Sequence, residues 1–285
     1  MIQQQKPQIV AKEILKKIYL PRPDWSHKGN FGHVLIIGGS RKYSGSPAFA
    51  AFAAFRSGSD LVTIAAPERA ANTIASFSPD MITEPLKGDY LSNSHLKPIL
   101  EIAKNADAIV IGGGIERKQE TASLVQNLLK SVRIPCVIDA DAVHAVSLNP
   151  EILSGKPFVL TPHQREFQSL TREDPTLEIS HRTDVVKFFA ARLKTTILLK
   201  GHTDIISDGE RVSHNTTGNP NMTKGGTGDT LAGICGAILG MKFDPFTAAC
   251  AAAYINGAAG DLASKEKGPG LMASDLLDKI PLIIK

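Results

Sequence analysis

The chain has 285 residues, 32 basic and 28 acidic, for a net charge of +4; 21% are charged and 42% hydrophobic. This is the profile of a soluble globular protein able to bury about 75% of its unfolded surface, with no need of disulfides or a structural metal. Basic residues alternate with acids, as in Glu116-Arg117-Lys118-Gln119-Glu120 and Lys265-Glu266-Lys267, and aromatics make up only 6%, which argues against nucleic-acid partners.

Short β-branched runs alternate with alanine-rich segments along the chain. Residues 34–37 predict a first strand ending in Gly38-Gly39-Ser40, and 47–55, with Phe at every third position, predict a helix. The next strand is 61–65, with a helix opening at Pro67-Glu68. Further strands are expected at 108–111, 136–139, 158–161 and 196–200. Each run is continuously apolar, as strands covered on both faces are. Strands separated by helices imply a parallel sheet with right-handed crossovers. Residues 204–207 and 210–213, joined by Asp208-Gly209, read as a hairpin, so antiparallel strands should finish one edge. Only helices follow, at 229–239, 245–263 and 273–280. No repeat or flexible linker interrupts residues 1–285, so one domain is expected.

The polar start, residues 1–12, is unlike a signal peptide. The apolar stretches 231–241 and 247–263 are interrupted by Gly, Asn or Asp and fall short of a membrane span. Cys136, Cys235 and Cys250 are widely spaced and include no CxxC pair, which fits neither a disulfide framework nor a zinc cluster. A reducing cytoplasm is the expected location, without a membrane partner.

Ligands of open parallel sheets bind at the carboxyl ends of the strands. Here those ends carry Gly38-Gly39-Ser40, Gly112-Gly113-Gly114, Asp139-Ala140-Asp141, Thr161-Pro162-His163 and Lys200-Gly201-His202. Any one of them reads as a turn; five together read as the floor of a cleft. The strongest local signal is 219–233, Asn-Pro-Asn-Met-Thr-Lys-Gly-Gly-Thr-Gly-Asp-Thr-Leu-Ala-Gly. Gly225, Gly226 and Gly228 let the backbone aim several N–H groups at one point, and the following helix adds its positive dipole end. The loop should bind a phosphate. It is neither a Walker A loop, because no Lys-Ser/Thr pair follows the last glycine, nor a GxGxxG fingerprint. Asp229 fits two roles about equally: a helix N-cap worth about 1 kcal/mol, or a base that takes the proton of an attacking hydroxyl.

Four blocks carry a family likeness: His27-Lys28-Gly29-Asn30-Phe31-Gly32, Tyr43-Ser44-Gly45, Leu160-Thr161-Pro162-His163-Gln164-Arg165-Glu166, and 219–233. Gly-Gly-Thr-Gly-Asp resembles the anion hole and catalytic Asp of the ribokinase-like superfamily. Together the blocks resemble one branch of it, the ADP/ATP-dependent NAD(P)H-hydrate dehydratases, across residues 27–280. The resemblance implies an α/β ribokinase-like fold and a lyase that repairs hydrated NADH and NADPH. In that family a nucleotide phosphorylates the hydroxyl on the hydrated nicotinamide ring, and loss of phosphate restores the cofactor. By the same resemblance Asp229 activates that hydroxyl, and Gly225, Gly226, Thr227 and Gly228 hold the phosphoryl group. Lys200, Gly201, His202, Thr203 and Asp204 would contact the nucleotide, and Ser46, Gly114 and His163 the substrate. The plainer readings are Ser46 and Gly114 as helix-start and turn residues and His163 as a surface residue. Mg2+ is expected with ADP or ATP, its ligands left open.

The chain departs from the family pattern in places. Gly112-Gly113-Gly114-Ile115-Glu116 stands where the family has Gly-Pro-Gly-Leu-Gly, so Glu116 would bring a negative charge toward the substrate's phosphates. Ser46 stands where Ala is commoner, and Asn221 where Gly is. The alternative function is a kinase of the same superfamily acting on a vitamin precursor or sugar alcohol. A nucleotide-binding module without turnover is a third reading, against which Asp229 argues. The alanine-rich run 248–259 could pack against a second copy, so a homo-oligomer is expected, a tetramer among the options. A hydrate epimerase is expected as a separate chain.

Overall fold

The computed structural model describes residues 7–285; residues 1–6 of the polar start lie outside it. Its strands are β1 (Gln8–Ile9), β2 (His33–Ile37), β3 (Leu61–Pro67), β4 (Ile82–Leu86), β5 (Ala108–Ile111), β6 (Cys136–Ile138), β7 (Phe158–Leu160), β8 (Thr196–Leu199), β9 (Asp204–Ser207) and β10 (Val212–Asn215). They form one ten-stranded sheet in the order β1-β10-β9-β8-β7-β6-β5-β2-β3-β4. Pairing is antiparallel only at β8–β9 and β9–β10, and parallel elsewhere.

The helices are α1 (Leu15–Ile18), α2 (Gly45–Arg56), α3 (Glu68–Ala75), α4 (Leu96–Ala103), α5 (Gln119–Ser131), α6 (Asp141–Ser147), α7 (Gln164–Thr171), α8 (Ile179–Leu193), α9 (Thr227–Gly240), α10 (Pro245–Lys267), α11 (Ala273–Leu277) and α12 (Ile280–Ile284). Val34, Ile36, Ile64, Val110, Val137 and Leu198 face a core made with α2, α9 and α10. The alternate positions Leu35, Ile37, Ile109, Ile111, Ile138 and Leu199 face a second core with α5, α6 and α8. Both faces are dry, so the strand sequences run apolar without alternation. Helix α9 is buried almost all round. Its Gly233 lies so close to the Ala50 carbonyl of α2 that any Cβ would collide with it.

Two strands have no apolar run to announce them, and both lie at sheet edges. β4 (ITEPL) is largely exposed, and β1 is two residues long. The hairpin is therefore near one edge but does not finish it, because β1 adds outside β10. The last predicted helix is two short ones, α11 and α12. Ala248, Ala249, Ala251, Ala252 and Ala259 are fully buried. The alanine-rich run is therefore largely spent inside the chain's own core, with Tyr254 and Ala258 as its partly exposed positions. Among the described residues no helix is long and apolar enough to cross a membrane, and all three cysteines are free and buried.

Candidate active site

β8, β7, β6, β5 and β2 are parallel neighbours, so the five polar or glycine-rich ends form one row. The phosphate-loop candidate lies across it, anchored to α10. Asp261 accepts from the Gly218 N–H at 3.0 Å and from Asn219 Nδ2 at 2.8 Å. Asn221 Nδ2 donates to Ser264 Oγ at 2.7 Å, a tie that a glycine there would lack. Gly226 caps α9 at φ 101°, and a Cβ on it would sit 2.7 Å from Ala273 and 2.9 Å from Phe49. Asn256 of α10 clamps the first turn: its Oδ1 accepts from Thr230 Oγ1 at 2.7 Å, and its Nδ2 donates to the Thr227 carbonyl at 3.2 Å.

Gly228 looks toward the strand ends. A Cβ there would have Lys200 Nζ at 3.5 Å and Asp139 Oδ2 at 4.0 Å as its nearest neighbours. Lys200 Nζ donates to Asp139 Oδ1 at 2.9 Å, and Thr161 Oγ1 donates to the same oxygen at 2.7 Å. Burial pulls Lys200 down, but the charges of Asp139, Glu166 and Asp229 and the bond to Asp139 outweigh it, and the net direction is up.

Asp229 does not cap its helix. α9 begins at Thr227 with Gly226 as N-cap, so Asp229 sits inside the first turn and its carboxylate turns toward α2, where Ser46 Oγ donates to it. The cap reading fails because the helix starts earlier than the glycines suggested. Burial first, and the negative charge of Asp139 second, push the Asp229 carboxyl up to about 7; the Ser46 hydroxyl and Lys200 pull it down. A carboxylate poised near neutral pH, beside backbone N–H groups and a lysine, can accept a hydroxyl proton while those groups hold a phosphoryl oxygen.

A cavity of about 780 Å³ opens beside this point. Of the nucleotide-contact candidates, Lys200, Gly201, His202, Asp204, Thr227 and Gly228 line it, whereas Thr203, Gly225 and Gly226 do not. Asp204 holds its rim, accepting from the Gly201 N–H and from Asn215 Nδ2, each at 2.9 Å. Burial pushes Asp204 up to about 6 against the pull of those donors, Lys200 and Arg182.

Ser46, Gly113, Asp139 and Asp229 share a narrow recess. Gly114 is outside it, in a turn at φ 70° under Tyr43, so Gly113 is the glycine that faces Asp229. His163 is the N-cap of α7: its Nδ1 accepts from the Glu166 N–H at 3.2 Å, and Glu166 Oε2 accepts from the His163 N–H at 2.8 Å. The half-exposed ring also lines the large cavity. It shares that lining with Lys200, Gly201, His202 and Asp204, the nucleotide-contact candidates. Glu116 adopts φ 60°, a left-handed conformation that suits the glycine of the family pattern, and accepts from Ser40 Oγ at 2.8 Å. That conformation costs an L-residue about 1–2 kcal/mol.

Among the described residues no three His, Cys, Asp or Glu side chains converge as a metal site. Magnesium held chiefly through a nucleotide's phosphates does not need such a cluster. Sequence reasoning placed Asp139 in the cleft floor without giving it a role, and passed over Asn256 and Asp261. One signal for the latter two was present: they are polar residues in an otherwise small and apolar helix.

The family model for NAD(P)H-hydrate dehydratase matches residues 34–282. The chain belongs to this family. An ADP-dependent (S)-NAD(P)H-hydrate dehydratase from Cenarchaeum symbiosum is 39% identical over 284 residues, covering 97% of this chain and 96% of that protein. The chain also matches bifunctional NAD(P)H-hydrate repair enzymes and spans about half their length, 52% of one that is 44% identical over 262 residues. Among solved structures, an ADP/ATP-dependent NAD(P)H-hydrate dehydratase from Bacillus subtilis, co-crystallised with ATP/Mg2+, has a TM-score of 0.80 at 27% identity, covering 98% of both chains. A ribokinase-like superfamily protein from Enterococcus faecalis has a TM-score of 0.84 at 27% identity, covering 100% of this chain and 97% of that one. The fold is therefore ribokinase-like, as the glycine block implied.

Proposed function

We propose that the chain is a nucleotide-dependent dehydratase of the S epimers of hydrated NADH and NADPH, working as one ribokinase-like domain. The observation that carries this reading is the Asp229 carboxylate, pushed up to about 7 and set between the Ser46 hydroxyl and the open face of Gly228. Asp229 takes the proton of the ring hydroxyl as its oxygen attacks the terminal phosphorus of ADP or ATP, and the bond to the leaving AMP or ADP breaks. The Gly228 N–H, its neighbours in the first turn of α9 and the Lys200 ammonium offset the charge on the transferring group. The ring–oxygen bond then breaks, phosphate departs, and a proton lost from the neighbouring ring carbon restores the double bond of NADH or NADPH.

The 780 Å³ cavity fits the nucleotide, within the usual size range of small-molecule pockets. Magnesium enters as part of the nucleotide substrate, carried on its phosphates, which is the common mode for this ion. Supply of the S epimer from a mixed pool is the task of a separate epimerase activity. The test is turnover of the S hydrate of NADH with ADP and with ATP, read as nucleotide-dependent release of phosphate. Transfer that ends in a stable phosphorylated product would favour a kinase instead.

A further inference from the structure

Asp139 lies in the row of strand ends, and the mechanism above gives it no work. It follows β6, is 3% exposed, and spends one oxygen on two donors, Thr161 Oγ1 at 2.7 Å and Lys200 Nζ at 2.9 Å. Among the described residues no donor bonds its other oxygen, Oδ2, which lies 4.0 Å from where a Cβ on Gly228 would stand. Its own carbonyl packs so tightly on Gly112 that any Cβ there would collide with it. The next residue, Ala140, is forced to φ 48°. A non-glycine residue held in that conformation beside a buried carboxylate is a strained turn that the surroundings over-determine, a pattern that clusters at functional sites. A buried carboxylate is costly unless paired, and this one is paired with the ammonium that faces Gly228.

We propose that Asp139 is a positioning residue for phosphoryl transfer: it pins the Lys200 ammonium beside Gly228 and fixes a negative charge next to Asp229. Three adjacent strand ends, those of β6, β7 and β8, thus supply a carboxylate, a hydroxyl and an ammonium in one plane of the sheet, while α9 brings the base and the N–H groups from above. Without Asp139 the lysine would be free to swing into the 780 Å³ cavity that it also lines. The fixed charge has a second consequence. It adds to burial, the larger cause, in opposing ionisation of Asp229, and the base gains driving force as an acceptor. The other charge facing Asp229 is Lys200, which works in the opposite direction, and Glu166 reaches the group through Lys200.

The proposal rests on the dehydratase reading for the identity of the reaction, but the titration of Asp229 belongs to the free protein and needs no substrate. The experiment is ¹³C-carboxyl NMR of aspartate-labelled protein, with the Asp229 signal assigned by its loss in Asp229→Asn, in wild type and in Asp139→Asn. The Asn side chain can still accept from Thr161, so the strand end keeps that tie while the charge is removed. The expected result is an Asp229 midpoint lowered by on the order of one pH unit. With the hydrate and ADP, the acid limb of kcat/KM should move down by the same amount and kcat should fall by about tenfold or more, with ADP affinity equal or tighter. A second variant, Thr161→Val, frees the carboxylate without removing its charge. It should lower kcat by about threefold or more at unchanged ADP affinity, and it keeps the test open if Asp139→Asn does not fold.

An Asp229 midpoint that stays in place in folded Asp139→Asn would overturn the electrostatic half of the proposal. Wild-type kcat in either folded variant would overturn the positioning half. If wild type itself failed to turn over the hydrate, the dehydratase reading would fall while the NMR result still decided the placement of charge.

Discussion

Replacing Asp229 by Asn separates chemistry from stability, and the structure fixes the sign of both effects. The carboxyl is pushed from an ordinary 3.8 to about 7, largely by burial. Its folded value lies above its unfolded one, so it adds stability in acid, fully present below about 4 and lost as pH rises through about 7. A change of about three pH units corresponds to at most about 4 kcal/mol, and a partly exposed carboxylate realises less. Asn carries no charge to desolvate and can still accept from Ser46, and the helix is capped by Gly226 rather than by this side chain. Asp229→Asn should therefore melt like wild type near pH 3.5 and several degrees higher at pH 8.5, at about 2–4 °C per kcal/mol for a chain of this size. Turnover at pH 8.5 should fall by about 10²–10⁴-fold, the share of a general base, and the difference should narrow in acid, where the wild-type base is itself protonated. Melting curves at the two pH values beside turnover of S-hydrated NADH with ADP make the test. A folded variant with wild-type turnover would refute the base, and a variant less stable than wild type at pH 8.5 would refute the burial argument.

Four further outcomes are expected. Gly228→Val aims a side chain at Lys200 and should weaken ADP binding by about tenfold or more in calorimetry, while the melting temperature holds because Gly is the poorer helix former. By contrast Gly226→Val meets Ala273 and Phe49, so its defect should appear in the melting curve and not only in nucleotide affinity. His163→Ala loses the α7 cap and should cost about 1 kcal/mol, whereas His163→Ser restores the cap; a raised KM for the hydrate that persists in the Ser variant would assign the ring to the substrate, and normal KM in both would leave it the cap alone. Asp204→Ala removes the acceptor of the exposed Gly201 N–H and one of the three acceptors of the Asn215 amide, which should cost about 1 kcal/mol and weaken ADP binding by about tenfold.

What was legible in the sequence is what local chemistry encodes. Continuous apolar runs marked the interior strands, because both faces of the sheet are covered, and Asp208-Gly209 marked the hairpin. β1 and β4 were illegible because an edge strand buries too little to carry a pattern. The glycine block announced an anion loop, yet the sequence could not tell where α9 starts, and that single offset decides whether Asp229 caps a helix or faces Ser46. Asp139 stood in plain view at a strand end. Its importance comes from Thr161 and Lys200, 22 and 61 residues away, a pairing that only the strand order β6-β7-β8 creates. Asn256 and Asp261 were hidden for the same reason, since their partners, in the first turn of α9 and on the loop before it, reach α10 only in the folded chain.

The central claim is that this chain restores hydrated nicotinamide cofactors by a phosphorylated intermediate whose formation Asp229 starts. Its most direct measurement is recovery of the near-ultraviolet absorbance of NADH from the S hydrate, with ADP and ATP supplied separately, for wild type and Asp229→Asn. The account predicts recovery with at least one nucleotide, one phosphate released for each cofactor restored, and loss of both signals in the variant. Folded wild-type protein that binds nucleotide but restores no absorbance with either one would contradict it.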